Sequence, residues 1–204
     1  MRAAFTSSKL IDSAIEQSGY AVVQSFVDQT TIAALATECR NRDASGLFRP
    51  ASIGRGNARI ERPDVRGDQM QWFDGTDLTA AQTRYWNAMQ SLRIDLNRAL
   101  MLGLVDLEAH YARYTPGARY AKHRDRFRDA DTRVLSTVLY LNPDWREDDG
   151  GALRLYLPDS AHEHVDIYPH AGTLVLFLSA DFEHEVLPAT RDRLSIAGWF
   201  RRRA

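Results

Sequence analysis

Thiols are almost missing from this sequence, which has one cysteine, Cys39, in 204 residues. A single thiol cannot close an internal disulfide, so nothing in the chain calls for an oxidising compartment, and a zinc site built on several thiolates is excluded. An excess of charge of one sign is missing too. Lys and Arg number 26 against 27 Asp and Glu, a net charge of -1, which offers no broad basic surface to nucleic acid or to an anionic membrane. No apolar run approaches the roughly 18 residues that span a bilayer, and residues 1–8 hold no apolar stretch of signal-peptide length. A cytoplasmic protein with neither a membrane nor a nucleic-acid partner is the expectation. The chain also has no glycine-rich phosphate cradle and no nucleophile elbow.

What is present is an ordinary globular composition, 44% hydrophobic and 26% charged, in a length that suits one domain over residues 1–204. Ser7 or Ser8 can cap a first helix carrying Leu10, Ile11, Ala14 and Ile15 at helical spacing, with Gly19 as its stop. A strand over Tyr20 to Val27 follows. Asp28 then reads as the N-cap of a second helix with Ile32, Leu35, Ala36 and Cys39 on one face, which assigns the thiol to the core. From Leu47 to Asp77 no period holds, and a stretch rich in Gly, Arg, Asp and Pro predicts a long irregular loop of the kind that often carries function. Thr79 to Met101 is the longest helix, with a stripe of Tyr85, Met89, Leu92, Leu96 and Leu100. Strands dominate afterwards, over Leu107 to Tyr114, Leu135 to Leu141, Ala152 to Leu157, Val165 to Ile167, Thr173 to Leu178 and Leu194 to Phe200. Turn residues separate most of them, the pattern of a sandwich or jelly roll. The fold class is therefore α+β, with residues 1–105 mainly helical support and a substrate loop, and residues 106–204 a β-rich catalytic core.

The most informative residues are His123, Asp125, His184 and Arg193. In an extended segment a spacing of two turns His123 and Asp125 to one side, while Arg124 points elsewhere. Two imidazoles and one carboxylate can hold one face of a six-coordinate Fe(II) and leave positions open for an oxidant and a co-substrate. A nearby guanidinium can grip a carboxylate with a planar fork. Each residue alone also has a plainer reading: a solvated turn for the His123 and Asp125 pair, a surface or capping role for His184, and a strand-end ion pair for Arg193. Alternation along the last strand places Arg193, Ser195, Ala197 and Trp199 on one face, which could line a pocket. His162 and His164 form a rival pair in a polar connection, His110 and His170 read as structural, and the Arg201 to Arg203 run reads as a solvated end.

Several ordered motifs over residues 60 to 204 resemble the Fe(II) and 2-oxoglutarate dependent prolyl hydroxylases, of the hypoxia-factor prolyl hydroxylase domain type and its bacterial relatives. They are Tyr114-Thr115-Pro116-Gly117, Tyr120 through Asp125, Tyr140 through Trp145, Gly150 through Arg154, and His184-Glu185-Val186 with Arg193 and Trp199. The resemblance implies a double-stranded β-helix, a jelly roll, with supporting N-terminal helices. It implies His123, Asp125 and His184 as iron ligands and as the catalytic centre. Arg193 and Tyr140 bind the distal carboxylate of 2-oxoglutarate, with Tyr114 near iron and co-substrate. Trp199 lines the prolyl pocket. Arg66 and Asp68 match a substrate-binding Arg-Gly-Asp segment, with Gln69 to Gly75 as a flexible lid. The implied reaction consumes O2 and 2-oxoglutarate, with ascorbate as a candidate reductant, hydroxylates a prolyl residue of a protein such as a translation factor, and releases succinate and CO2. The same chemistry on another side chain or on a small molecule, and an inactive jelly-roll binding module, are the alternatives. Ala197 departs from the resemblance, since relatives often carry a threonine there, and residues 1 to 60 match weakly.

Overall fold

The computed structural model describes residues 3–52, 60–125, 132–158 and 163–203, with side chains from residue 10 onward. Three helices precede or interrupt the early strands: α1 (Ala3–Ser18), α2 (Gln29–Ala44) and α3 (Ala80–Leu100). Their limits follow local chemistry. The Asp28 carboxylate accepts from the Thr31 amide and caps α2. At α3 the Thr79 hydroxyl accepts from the Gln82 amide while the Gln82 side chain reaches back, a reciprocal cap that satisfies two orphan donors. The predicted stripe of α3 is buried at Tyr85, Met89, Leu92 and Leu96, with Leu100 partly buried. Each such aliphatic side chain contributes about 1.5–3 kcal/mol by leaving water. No helix among the described residues is long and apolar enough to cross a membrane.

Eleven strands among the described residues form two antiparallel sheets. They are β1 (Tyr20–Val23), β2 (Arg49–Pro50), β3 (Asp68–Trp72), β4 (Leu104–Tyr114), β5 (Tyr120–His123), β6 (Arg133–Tyr140), β7 (Leu153–Tyr156), β8 (His164–Ile167), β9 (Leu174–Leu178), β10 (Glu183–Val186) and β11 (Arg193–Arg202). The larger sheet runs β1-β9-β6-β11-β4-β3-β2, and the smaller runs β5-β10-β7-β8. This is a double-stranded β-helix with a helical layer on its large sheet, as expected.

Alternation along β9 shows how the core is divided. Leu174 and Leu176 pack with the helices, whereas Val175 and Phe177 pack in a second core with Leu153, Leu155 and Val186 of the smaller sheet. Both faces are buried, so this strand reads as an unbroken apolar run. Cys39 is buried in the helical core, where burial pushes its thiol up to about 12 and leaves it unreactive.

Three expectations are corrected. The stretch from Leu47 to Asp77 is not one irregular loop: β2 and β3 extend the larger sheet, and Asp68 through Trp72 pairs with Tyr114 through His110 of β4. Most of the expected lid, Gln69 to Gly75, is therefore strand, tied by ladder hydrogen bonds that its polar sequence did not announce. The first strand stops at Val23, because Ser25 takes a positive φ of 53° and turns the chain. β5 and β10 are strands that the sequence reading left out, and they pair with each other in the smaller sheet. Arg55, Arg59 and His162 lie outside the described residues.

Candidate metal and anion site

Between the sheets lies a cavity of about 290 Å³, and its wall brings together most of the singled-out residues. His123 ends β5, Asp125 follows two residues later, and His184 sits inside β10. Against the plainer reading of a surface or capping residue, the structure puts His184 within a short strand of the smaller sheet, buried at 5% exposure. Its register partner there is His123. One donor atom from each of His123, Asp125 and His184 lies within 4.8 Å of the others, a spacing that can share one ion.

The protonation pattern suits a metal. The Nδ1 atoms of His123 and His184 lie 2.7 and 3.2 Å from the carbonyl oxygens of Ala121 and Phe182. A carbonyl only accepts, so Nδ1 carries the proton in each neutral ring and Nε2 is left as the donor atom. Both Nε2 atoms face Asp125, at 3.6 and 3.5 Å from its two oxygens. Burial drives the His184 imidazole down to about 4, so it stays neutral. Burial alone would raise Asp125, but His184, His123 and the Ser136 hydroxyl favour the anion and hold it well below the usual carboxylate range. Neutral imidazoles and an ionised carboxylate are the forms that bind a metal without first losing protons. The donor set, two nitrogens and one oxygen, fits ferrous iron.

Farther in, Arg193 is 2% exposed. Its Nε donates to the Gly151 carbonyl oxygen at 2.8 Å, and among the described residues no carboxylate pairs with it. A buried cation without a protein anion is costly, so the pocket is built to receive one. Its guanidinium carbon lies 5.0 Å from the Tyr140 ring centre and 5.2 Å from that of Tyr114. Among the described residues the Tyr140 hydroxyl is buried without a hydrogen-bond partner, and burial pushes it up to about 12, so it remains a donor. A guanidinium and an orphaned phenol side by side fit the far carboxylate of a dicarboxylate such as 2-oxoglutarate. Tyr114 is fully protonated for the same reason, its phenol pushed far up by burial.

Asn142 anchors the start of β11 beside Arg193. Its side chain accepts from the Leu194 amide at 2.7 Å and donates to the Leu194 and Pro169 carbonyl oxygens at 2.9 Å. The predicted face of the last strand does line the cavity with Arg193, Ser195, Ala197 and Trp199.

Arg66 and Asp68 also line the cavity, but they hold each other, through contacts of 2.8 and 3.1 Å. Arg66 further lies 4.7 Å over the Tyr120 ring, which stacks on the His123 imidazole at 3.6 Å. Sequence reading missed this chain of support, and missed two other wall residues, Arg133 and His110. Arg133 sits 3.5 Å over Trp199, and His110 lies between Trp72 and Trp199 with centroid separations of 4.7 and 5.6 Å. His110 is Trp72's direct partner across β3 and β4, a pairing that only the register reveals. His164, of the rival pair, is exposed on β8.

A family model for the 2OG-Fe(II) oxygenase superfamily matches residues 109–201. The chain is 32% identical over 197 residues to a hypoxia-inducible factor prolyl hydroxylase of Caenorhabditis elegans, a match over 91% of this chain and 27% of that protein. It thus spans about a quarter of that relative's length. A crystal structure of a Pseudomonas putida prolyl-4-hydroxylase is similar at 44% identity and a TM-score of 0.86, covering 97% of this chain and 100% of that one. A Trichoplax adhaerens prolyl hydroxylase, solved with a peptide of the hypoxia inducible factor oxygen degradation domain, matches at 26% identity and a TM-score of 0.85, over 97% and 90% of the two chains. These matches extend into the first 60 residues, beyond the range that the sequence motifs covered.

Proposed function

We propose that this chain, which belongs to the 2OG-Fe(II) oxygenase superfamily, hydroxylates a prolyl residue of a protein substrate in the cytoplasm at the expense of 2-oxoglutarate and O2. The observation that carries the reading is the pairing of His123, Asp125 and His184 with a buried Arg193 that has no anion partner among the described residues, inside one cavity. Iron at the triad, with 2-oxoglutarate, supplies the oxidising power that ends in succinate, CO2 and a hydroxylated carbon. The protein's own residues do the rest. His123 and His184 would hold the ion through Nε2 and Asp125 through a carboxylate oxygen. Arg193 and Tyr140 hold the far carboxylate through charge-assisted hydrogen bonds that gain strength in a dry pocket. Tyr114 closes the side of that pocket.

Trp199, with His110 and Trp72, makes an aromatic wall suited to an apolar pyrrolidine ring. The prolyl assignment draws on the named activity of the Pseudomonas putida relative. A translation factor is the narrower form of the substrate proposal. The Arg66 and Asp68 pair acts on substrate by shaping the cavity mouth, since its charges are already matched.

The test is incubation of the purified protein with Fe(II), 2-oxoglutarate, ascorbate and a proteome from its own host, with mass mapping of the products. The expected result is a gain of one oxygen on a prolyl residue, with matching succinate. Anaerobic addition of Fe(II) and 2-oxoglutarate should also give a weak visible charge-transfer band. Failure of both would reject the oxygenase reading in favour of a binding module.

A further inference from the structure

Asp125 lies just beyond the end of β5. The ladder of β5 ends at His123, two residues before it. Its carboxylate is anchored from the opposite sheet. The Ser136 hydroxyl donates to Asp125 Oδ2 at 2.7 Å, and Ser136 Oγ lies 2.9 Å from Ser179 Oγ. Both serines are fully buried, at 1% and 0% exposure.

Their backbones are tied to the larger sheet. Ser136 is in the middle of β6, paired on one side with Phe177 of β9 and on the other with Trp199 of β11. Ser179 follows β9, and its amide donates to the Val134 carbonyl oxygen at 3.0 Å.

Proton counting orders this pair. An ionised carboxylate can only accept, so the one Ser136 proton points at Asp125. Ser136 Oγ must then accept from Ser179, whose proton points at Ser136. The direction of the relay is thereby set from the sheet toward the carboxylate, and each hydrogen bond polarises the next.

We propose that Ser136 and Ser179 form a positioning relay that fixes the orientation of the Asp125 carboxylate between His123 and His184. A carboxylate left free to turn could offer both oxygens to the ion and fill a coordination position that the co-substrates need. Outer partners of this kind orient metal ligands, and their loss typically weakens metal binding by about 10–100-fold. The inference rests on the metal-site reading given under Proposed function.

The test is Mn(II) binding to the folded protein, followed by electron paramagnetic resonance, with no turnover involved. Wild type should hold one Mn(II). Ser136→Ala should weaken binding by about tenfold, and Ser136→Thr, which keeps the hydroxyl, should stay near wild type. Ser179→Ala should weaken binding less than Ser136→Ala does, and the double variant should match Ser136→Ala, because a relay acts only through its last member. Wild-type affinity in Ser136→Ala, or a Ser179→Ala loss that adds in full to it, overturns the relay while leaving the metal site intact. A folded wild type that holds no Mn(II) overturns the metal site itself, and the relay with it. Should Ser136→Ala not fold, Ser179→Ala decides alone: weakened binding at unchanged melting temperature supports the relay, and unchanged binding rejects it.

Discussion

His123 and His184 are direct partners across β5 and β10, their ring centroids 4.2 Å apart. Two residues far apart along the chain thus become cross-strand neighbours, and the pairing register sets the distance between their donor atoms. Asp125 completes the set from just beyond the strand end, so the site joins two ladder-held nitrogens to one relay-held oxygen.

Removal of that oxygen should be decisive. Asp125→Ala is expected to cut turnover by more than about 100-fold, because loss of mere outer partners already costs 10–100-fold. Succinate release at saturating Fe(II) and 2-oxoglutarate measures it; full activity in the variant would remove Asp125 from the ligand set.

Arg193→Lys keeps the charge and loses the planar fork. The Nε bond to Gly151 is lost as well. The 2-oxoglutarate KM should rise by about tenfold, the equivalent of one charge-assisted hydrogen bond, with a smaller effect on kcat. An unchanged KM means that the co-substrate carboxylate lies elsewhere.

Tyr140→Phe should move two quantities in opposite directions. In the free protein the hydroxyl is buried without a partner among the described residues, so its removal should leave stability unchanged or raise it by about 1 kcal/mol. In the complex the hydroxyl becomes a donor, so affinity for 2-oxoglutarate should fall about fivefold or more. Thermal melting with and without 2-oxoglutarate reads both; a variant that is less stable alone and equally stabilised by ligand contradicts the assignment.

Gly151 has φ of 69°, and a Cβ there would lie 2.9 Å from Ala189 Cβ and 3.3 Å from Arg193 Cδ. Gly151→Ala should therefore cost about 1–3 kcal/mol of stability through backbone strain. It should also raise the 2-oxoglutarate KM by pushing the guanidinium aside. A loss of stability with an unaltered KM would confine the glycine to a backbone role.

His110 predicts an acid limb in stability. Burial, with smaller pushes from Arg66 and Arg133 that outweigh Asp68 and Asp125, brings its imidazole down to about 3 in the folded protein. The unfolded chain then binds the extra proton first, starting near the ordinary histidine value of about 6.5. Stability is full above that pH and is lost as pH falls from about 6.5 toward 3, by an amount on the order of a few kcal/mol. His110→Phe should flatten the part of the limb between about pH 6.5 and 4, as seen in denaturant midpoints across that range. A limb of unchanged slope would place its origin in other groups, with buried His184 the first to consider.

Much of this was legible without coordinates, and for identifiable reasons. The helix cap at Asp28 is local chemistry, and the stripe on α3 is periodicity, so both could be read from neighbours in sequence. The inward face of β11 followed from alternation alone, because a strand's side chains must change sides at every residue. The metal triad and Arg193 could be named because their types and order are particular to the chemistry. The strands that hold them were harder. β5 and β10 are four residues each and mostly polar, so they carry no apolar signal of their own, and β3 is held by its ladder with β4.

Sequence alone determined which side chains were available, in what protonation classes, and which elements could form by contacts close along the chain. Tertiary structure decided the pairings: His123 with His184, Ser136 with Asp125, His110 with Trp72, Arg66 with Tyr120, and Arg193 with no carboxylate among the described residues. Such pairings depend on strand register and on which groups are removed from water together, quantities that exist only once distant segments have met.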